Sequence, residues 1–284
     1  MRFSGKVAFI TGAARGMGAC IALEFAKEGA DVIAVSKGRE DPVSGKVSND
    51  DLDKVVKEIV AMGRKAIGIM ANVTKSAEVK NAVSQGIAEF GKIDILVNNA
   101  GNIFNAPIIS SREEDINMVI DVNLKGCIFC CKYVVPHMAR RNYGKIINVS
   151  SGVGLYAEPN YTAYSASKYA VHGLTEALAA EVSHYNINVN AVCPGSILTP
   201  MLRRMLGIRF PGKNPDEEYL KRLDGQFFHR EVTEKDVANA VLFLASEDAR
   251  NITSQWLAVT AGKEKKQPAA KPYFVPPPEG QEID

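Results

Sequence analysis

No stretch of the 284 residues is apolar over anything near the roughly 20 residues that a membrane-spanning helix needs, so the sequence predicts no membrane segment. An excess of charge is missing too. The chain has 34 basic and 32 acidic residues, a net charge of +2, interspersed along its length, and no basic stripe of the kind that grips nucleic acid. Cysteines number five, an odd count that suits reduced thiols better than a disulfide framework. Three of them, Cys127, Cys130 and Cys131, lie close together, but no second cysteine pair and no suitably spaced histidine completes four metal ligands. They read as small apolar core residues, and no metal is expected. The opening Met1-Arg2-Phe3-Ser4-Gly5-Lys6 has no apolar core of signal-peptide length and no cleavage site, which with the reduced thiols predicts a cytoplasmic protein. No internal repeat of fixed period is found.

What remains is an ordinary globular composition, 46% hydrophobic and 23% charged, arranged as alternating strands and helices. Strands are expected over 6–11, 31–36, 65–71, 93–97, 145–150, 187–192 and 255–259. Helices are expected from Ala19 to Glu28 and Asp50 to Met62, then over 75–90, about 111–140, 161–184 and 233–246, with a loop over 38–50. Thr74 is the expected cap of the helix over 75–90, and Thr233-Glu234-Lys235-Asp236 signals the start of the helix after it. Such alternation predicts an α/β fold, a single Rossmann-type, doubly wound parallel sheet of about seven strands with helices on both faces, over residues 1–262. Ligands of these sheets bind beyond the carboxyl ends of the strands.

The first such end carries Thr11-Gly12-Ala13-Ala14-Arg15-Gly16-Met17-Gly18, set between an apolar strand and a helix, the context a phosphate-binding loop requires. Gly12 permits the tight turn, Gly16 lets backbone approach a pyrophosphate, and Gly18 lets helix pack on strand. The second strand ends in Ser36-Lys37-Gly38-Arg39. An NAD site usually has an acid there to accept from the ribose hydroxyls, whereas a 2′-phosphate needs that acid gone and cations present. Ser36 with Lys37, Arg39 and Arg15 favours NADP(H); Glu40 or Asp41 could still serve NAD. Asn98-Asn99-Ala100-Gly101 closes the fourth strand with small and amide side chains suited to lining a cofactor cleft. Pro194-Gly195-Ser196-Ile197-Leu198-Thr199-Pro200 ends the sixth.

Tyr164 and Lys168, four residues apart on one helix, stand on the same face. A free phenol has a pKa near 10, roughly three units too high for acid–base work near neutrality, and stabilising its anion by that much takes about 4 kcal/mol. A desolvated ammonium a few ångströms away is the candidate source. Ala166, Ala170, Gly173 and Ala177 form a small-residue stripe on the opposite face, open to a neighbouring helix.

The glycine loop from Thr11 to Gly18, Asn98-Asn99-Ala100-Gly101, Asn123, Ser151, Tyr164 with Lys168, and Pro194-Gly195 with Thr199 together resemble the short-chain dehydrogenase/reductase family over roughly residues 5–262. The resemblance implies an NAD(P)-dependent enzyme interconverting a ketone and a secondary alcohol. It implies Tyr164 as acid/base, Ser151 as the group that holds and polarises the carbonyl, and Lys168 as the group that lowers the tyrosine pKa and binds the nicotinamide ribose. It further implies that Asn123 anchors a water of the proton relay and that Thr199 bonds the nicotinamide carboxamide. The implied cofactor set is Gly12, Arg15, Gly16, Met17, Gly18, Ser36, Lys37, Arg39, Asn72, Val73, Asn99, Ala100, Gly101, Tyr164, Lys168, Pro194, Gly195, Ile197 and Thr199. Asn72 stands where the family often has an aspartate against adenine, and its carbonyl can still accept. The family is typically tetrameric or dimeric through the helices holding Asn123 and Lys168.

Between about 196 and 231 the chain is rich in Met201, Leu202, Met205, Leu206, Phe210, Leu223, Phe227 and Phe228, which suits either a lid meeting an apolar, cyclic substrate or a helical hairpin packed on the body. Residues 263–284 turn to Lys, Gln, Pro and Glu and cannot build a core of their own, though Tyr273, Phe274 and Val275 could anchor them. The last strand, Trp256-Leu257-Ala258-Val259-Thr260-Ala261-Gly262, lacks the acidic residue and paired glycines common in the family.

Overall fold

Every residue of β1 (Val7–Thr11) is buried, as a strand free of charge and of glycine must be when both of its faces are covered. The computed structural model describes residues 1–40 and 47–263, the side chains of Arg39 and Glu40 excepted. The elements follow in chain order: α1 (Gly16–Lys27), β2 (Asp31–Ser36), β3 (Arg39–Glu40), β4 (Val47–Ser48), α2 (Asp50–Ala61), β5 (Ala66–Met70), α3 (Ser76–Phe90), β6 (Ile95–Asn98), α4 (Glu113–Ile120), α5 (Gly126–Arg140), β7 (Gly144–Val149), α6 (Thr162–Val182), β8 (Ile187–Pro194), α7 (Pro200–Arg209), α8 (Pro215–Leu220), α9 (Glu234–Ala245) and β9 (Trp256–Val259).

Seven strands form one parallel sheet in the order β5-β2-β1-β6-β7-β8-β9. The order in which strands are added reverses between β1 and β6, which opens a crevice at their carboxyl ends. Side-chain alternation divides the core between two faces. Ala8, Ile10, Val32 and Ala34 pack with Ile21 and Phe25 of α1, Leu52 and Val55 of α2, and Val237 and Val241 of α9. Val7, Phe9, Ile33 and Val35 pack with Val79 and Val83 of α3, Val134 and Met138 of α5, and Val182 of α6. Cys130 and Cys131 belong to this second layer as small apolar residues; burial pushes the Cys131 thiol to about 12 and that of Cys127 to about 11.

The doubly wound sheet expected from the alternation is present, and the differences are local. The segment expected as a loop over 38–50 carries the antiparallel pair β3–β4, with Arg39 opposite Ser48 and Glu40 opposite Val47. Asp41 lies outside the described residues. Thr74 does not cap α3: Lys75 holds the cap position, and the Thr74 hydroxyl donates to Asn72 Oδ1 at 3.0 Å, because the asparagine side chain has already closed a turn onto Thr74 N at 3.1 Å. Thr233 and Asp236 do form a reciprocal capping box. Residues 264–284, including Tyr273, Phe274 and Val275, lie outside the described residues, and no described helix is long and apolar enough to cross a membrane.

Candidate active site

Loop and helix meet at the β1–α1 turn with almost no space between them. A Cβ on Gly18 would stand 2.1 Å from the Gly12 carbonyl oxygen, so only glycine lets α1 start this close to the strand. Gly12 itself has φ +66°, and a Cβ there would press on Ala100 Cα and Asn99 Nδ2, both at 3.0 Å. Arg15 precedes α1 with no side-chain cap, and the first turn holds no acid, so its amide donors remain for an anion. A dinucleotide's pyrophosphate fits that arrangement.

Thr11, quoted in the loop but given no role by the sequence, ties the loop to the next strand end. Its Oγ1 accepts from the amides of Asn99 and Ala100, each at 3.0 Å, while Asn99 Nδ2 donates to Thr11 O at 2.9 Å and to Gly12 O at 3.3 Å. Asn99 and Ala100 thus brace the glycine turn. Below them lies a fully buried polar chain: Asn98 Nδ2 donates to Asn148 Oδ1 at 2.9 Å, and Asn148 Nδ2 donates to Thr175 Oγ1 at 3.0 Å.

Past β7, Ser151 and Tyr164 stand together on the wall of one cavity, and Ser151 Oγ accepts from Val153 N at 3.4 Å. Lys168, one turn beyond Tyr164 and 4% exposed, places Nζ 5.8 Å from the tyrosine ring centroid and donates to Val149 O at 2.9 Å. Burial pushes the phenol above its ordinary pKa of 10, the nearby Ser151 hydroxyl pulling the other way. It also lowers the lysine, against smaller opposing effects of the Cys127 and Cys193 thiols. Burial disfavours the charged form of each of the two groups.

Asn123 sits in a single π turn (Asp121–Lys125) between α4 and α5. Its side chain makes three hydrogen bonds: Nδ2 donates to Asn102 O at 2.9 Å and to Ser167 Oγ at 3.0 Å, and Oδ1 accepts from Asn102 N at 2.7 Å. The side chain holds the β6 loop onto α6.

Other expected cofactor residues gather at the same sheet edge with altered duties. Thr199 Oγ1 accepts from Leu202 N at 3.2 Å and caps α7, which leaves its hydroxyl proton as the group able to reach a carboxamide. Asn72 turns its carbonyl inward to Thr74, so that oxygen is less available to adenine. Val73 is buried against Gly126. Gly101 lies near Lys168 Nζ, and Gly195 bonds back to Val259 O. Ser36, Arg15 and Asp51 line a small recess at the end of β2, where Arg15 Nη1 stands 3.8 Å from Asp51 Oδ2; Lys37 is exposed beside it. The Arg39 side chain lies outside the description.

A cavity of about 130 Å³ opens over Ser151 and Tyr164, lined also by Met17, Pro194, Gly195, Ile197, Thr199, Met201 and Leu202. Sequence reasoning missed Tyr156, Glu158, Tyr161, Arg222 and Lys263 on its wall; they follow no motif and are brought in by tertiary packing alone. It also missed His172, one turn past Lys168, whose ring stacks on Trp256 (centroids 4.8 Å, 3° between planes) with Nε2 at 3.3 Å from Cys193 Sγ. Burial first, and then the Lys168 charge, lower this histidine to about 4. Leu202, Met205, Leu206 and Tyr219 pack with Tyr161 into a third cluster, so α7 and α8 are partly packed hairpin and partly cavity roof. The small-residue stripe of α6 is exposed at Ala166, Gly173 and Ala177.

A parallel sheet with its crevice between β1 and β6, an uncapped glycine turn below it and a serine–tyrosine–lysine set beside it define an NAD(P)-dependent oxidoreductase acting on carbonyl and hydroxyl groups. The family model described as short chain dehydrogenase matches residues 6–206, and the chain belongs to that family. It is 41% identical over 263 residues to a 3-oxoacyl-(acyl-carrier-protein) reductase of Thermotoga maritima, covering 92% of this chain and 99% of that one. Among solved structures it is similar to levodione reductase (TM-score 0.87, 27% identity, 94% of this chain and all of that one). It is likewise similar to carveol dehydrogenase from Mycobacterium avium in complex with NAD (TM-score 0.85, 33% identity, 93% and 99%).

Proposed function

We propose that this chain interconverts a ketone and a secondary alcohol on an apolar, cyclic substrate with NADP(H), using Tyr164 as the acid/base. The observation that carries the reading is Ser151 and Tyr164 side by side on the wall of one cavity, with Lys168 buried behind them. The nicotinamide supplies or takes the hydride when bound. Charge then develops on the substrate oxygen, where a donor in a water-poor cleft stabilises the transition state more than the ground state. Tyr164 gives that oxygen its proton and Ser151 a second hydrogen bond. A raised phenol pKa suits the donor role in reduction, since the proton is in place at neutral pH. Asn123 and Ser167 hold α6 and the β6 loop so that both donors converge.

The NADP(H) preference rests on Ser36 and the cations Arg15 and Lys37. A second reading, NAD(H), draws on Asp51, whose carboxylate lines the same recess and engages Arg15, and on the NAD bound in the carveol dehydrogenase structure. For the substrate, the identity to a 3-oxoacyl reductase makes an acyl thioester the alternative to a cyclic ketone. The exposed stripe of α6 supports a homotetramer or dimer, and the reduced-thiol composition supports a cytoplasmic setting.

The test is cofactor consumption against a panel of cyclic ketones, their alcohols and 3-oxoacyl thioesters, with NADPH and NADH in parallel. Turnover of at least one substrate class is expected, and Tyr164→Phe is expected to lower kcat by roughly 10²- to 10⁴-fold. Near-normal turnover by the variant would overturn the mechanism.

A further inference from the structure

The cavity over Ser151 and Tyr164 also holds three charged side chains that hydride chemistry does not use: Glu158, Arg222 and Lys263. Glu158 and Lys263 neutralise each other at 3.4 Å, their side chains only 26% and 15% exposed. Arg222 has no such match. A guanidinium offers five donors. In Arg222, Nη2 makes one long contact of 3.5 Å to Tyr161 Oη, a neutral acceptor, and among the described residues no carboxylate comes within ion-pair reach. Asp224, two residues on, makes no ion pair with it among the described residues, and Asp216 and Glu218 pair with Arg203 and with Lys221 and Lys213.

A partly buried guanidinium with no carboxylate in reach is costly unless an anion meets it. The segment that bears it shows a second unmet demand. Gln226 is 2% exposed, and neither its amide nitrogen nor its oxygen has a hydrogen-bond partner among the described residues. With Glu158 and Lys263 cancelling, Arg222 leaves the cavity with one net positive charge, which one carboxylate would neutralise through the fork geometry that arginine presents to planar anions. Its position fixes where that carboxylate lies. The Tyr161 ring stands 6.0 Å from that of Tyr164, centroid to centroid, and Arg222 reaches the hydroxyl of Tyr161, so the guanidinium lies one aromatic ring beyond the acid/base.

We propose that the substrate is an anion, a cyclic keto acid or the matching hydroxy acid, whose carboxylate pairs with Arg222 while its carbonyl meets Ser151 and Tyr164. This rests on the ketone–alcohol reading above and narrows it. It makes Arg222 a substrate-binding residue that decides between charged and neutral ketones.

The test compares 3-oxocyclohexanecarboxylate with its methyl ester as the ratio of kcat/KM, a quantity within one protein preparation that partial misfolding does not move. The wild type is expected to favour the acid by at least about tenfold, the strength of a charge-assisted hydrogen-bonded pair. Arg222→Leu is expected to bring the ratio near one, and Arg222→Lys to restore part of it. A wild-type ratio near one, or a preference that survives Arg222→Leu, overturns the anion site while leaving the ketone reading intact. If neither compound is turned over, the ketone reading is judged by the wider panel of ketones and thioesters. Calorimetric binding of cyclohexanecarboxylate against cyclohexanecarboxamide then judges the anion site on its own. Carboxylate binding lost in Arg222→Leu upholds it, and equal or absent binding of the two probes overturns it.

Discussion

Burial shifts both members of the proposed tyrosine–lysine pair. The pKa of Tyr164 is pushed up and that of Lys168 down, with 5.8 Å from nitrogen to ring centroid. The spacing of four in the sequence correctly places them on one face, but spacing carries no dielectric, and the direction of each shift emerges only from the packing around it. The cofactor recess shows the same limit. Ser36 and Arg15 are legible as phosphate-friendly, yet Arg15 meets Asp51 from a different element at 3.8 Å. On the NADP(H) reading, Lys37→Ala raises the apparent KM for NADPH roughly two- to fivefold, as an exposed charge pair permits, and leaves that for NADH unmoved. Initial rates with each cofactor check this, and an unchanged NADPH-to-NADH preference would hand the recess to NAD.

At the scale of elements, strand ends carry the function and buried polar links hold them in register. Asn98 ends β6 and faces Asn148 of β7 across the sheet, and Asn148 passes the chain to Thr175 of α6, the helix that bears Tyr164 and Lys168. Replacing Asn148 by Leu strands donor and acceptor in a dry interior. The expected cost is about 1–3 kcal/mol, read as a lower urea midpoint with unchanged slope. Removing Asn98 as well should cost less than the two single changes summed, because partners lost together leave fewer groups unsatisfied. Most elements were legible from apolar runs and caps, the Thr233–Asp236 box among them. The pair β3–β4 was not, because two-residue strands carry no periodicity, and Thr74 lost its expected cap to a turn made by Asn72.

For the whole molecule, Asp94 is the clamp at the amino ends of the central strands. It is 1% exposed, accepts from Val7 N at 2.9 Å, and pairs with Lys92 at 3.1 Å and with Arg141 at the end of α5. Burial alone would raise its pKa, but Arg141, the Val7 amide and Lys92 together outweigh burial and hold it below its ordinary 3.8. A carboxylate lowered on folding stabilises the fold above its unfolded pKa and loses that contribution as pH falls through the folded value. Asp94→Asn should therefore cost about 1–3 kcal/mol at pH 7, the cations being partly solvated. The gap between wild type and variant, measured by denaturant titration, should narrow as pH drops below 3.8 and stay constant from pH 5 to 7. By itself the sequence determined the doubly wound sheet, the glycine turn and the serine–tyrosine–lysine set, because these depend on local periodicity and on residue types that few other geometries tolerate. Only the tertiary structure decided that Asn123 braces backbone, that Thr199 caps α7, and that Arg222 and the Glu158–Lys263 pair share the cavity of Tyr164. Those contacts join segments tens of residues apart, and no spacing along a chain encodes which distant side chains will meet.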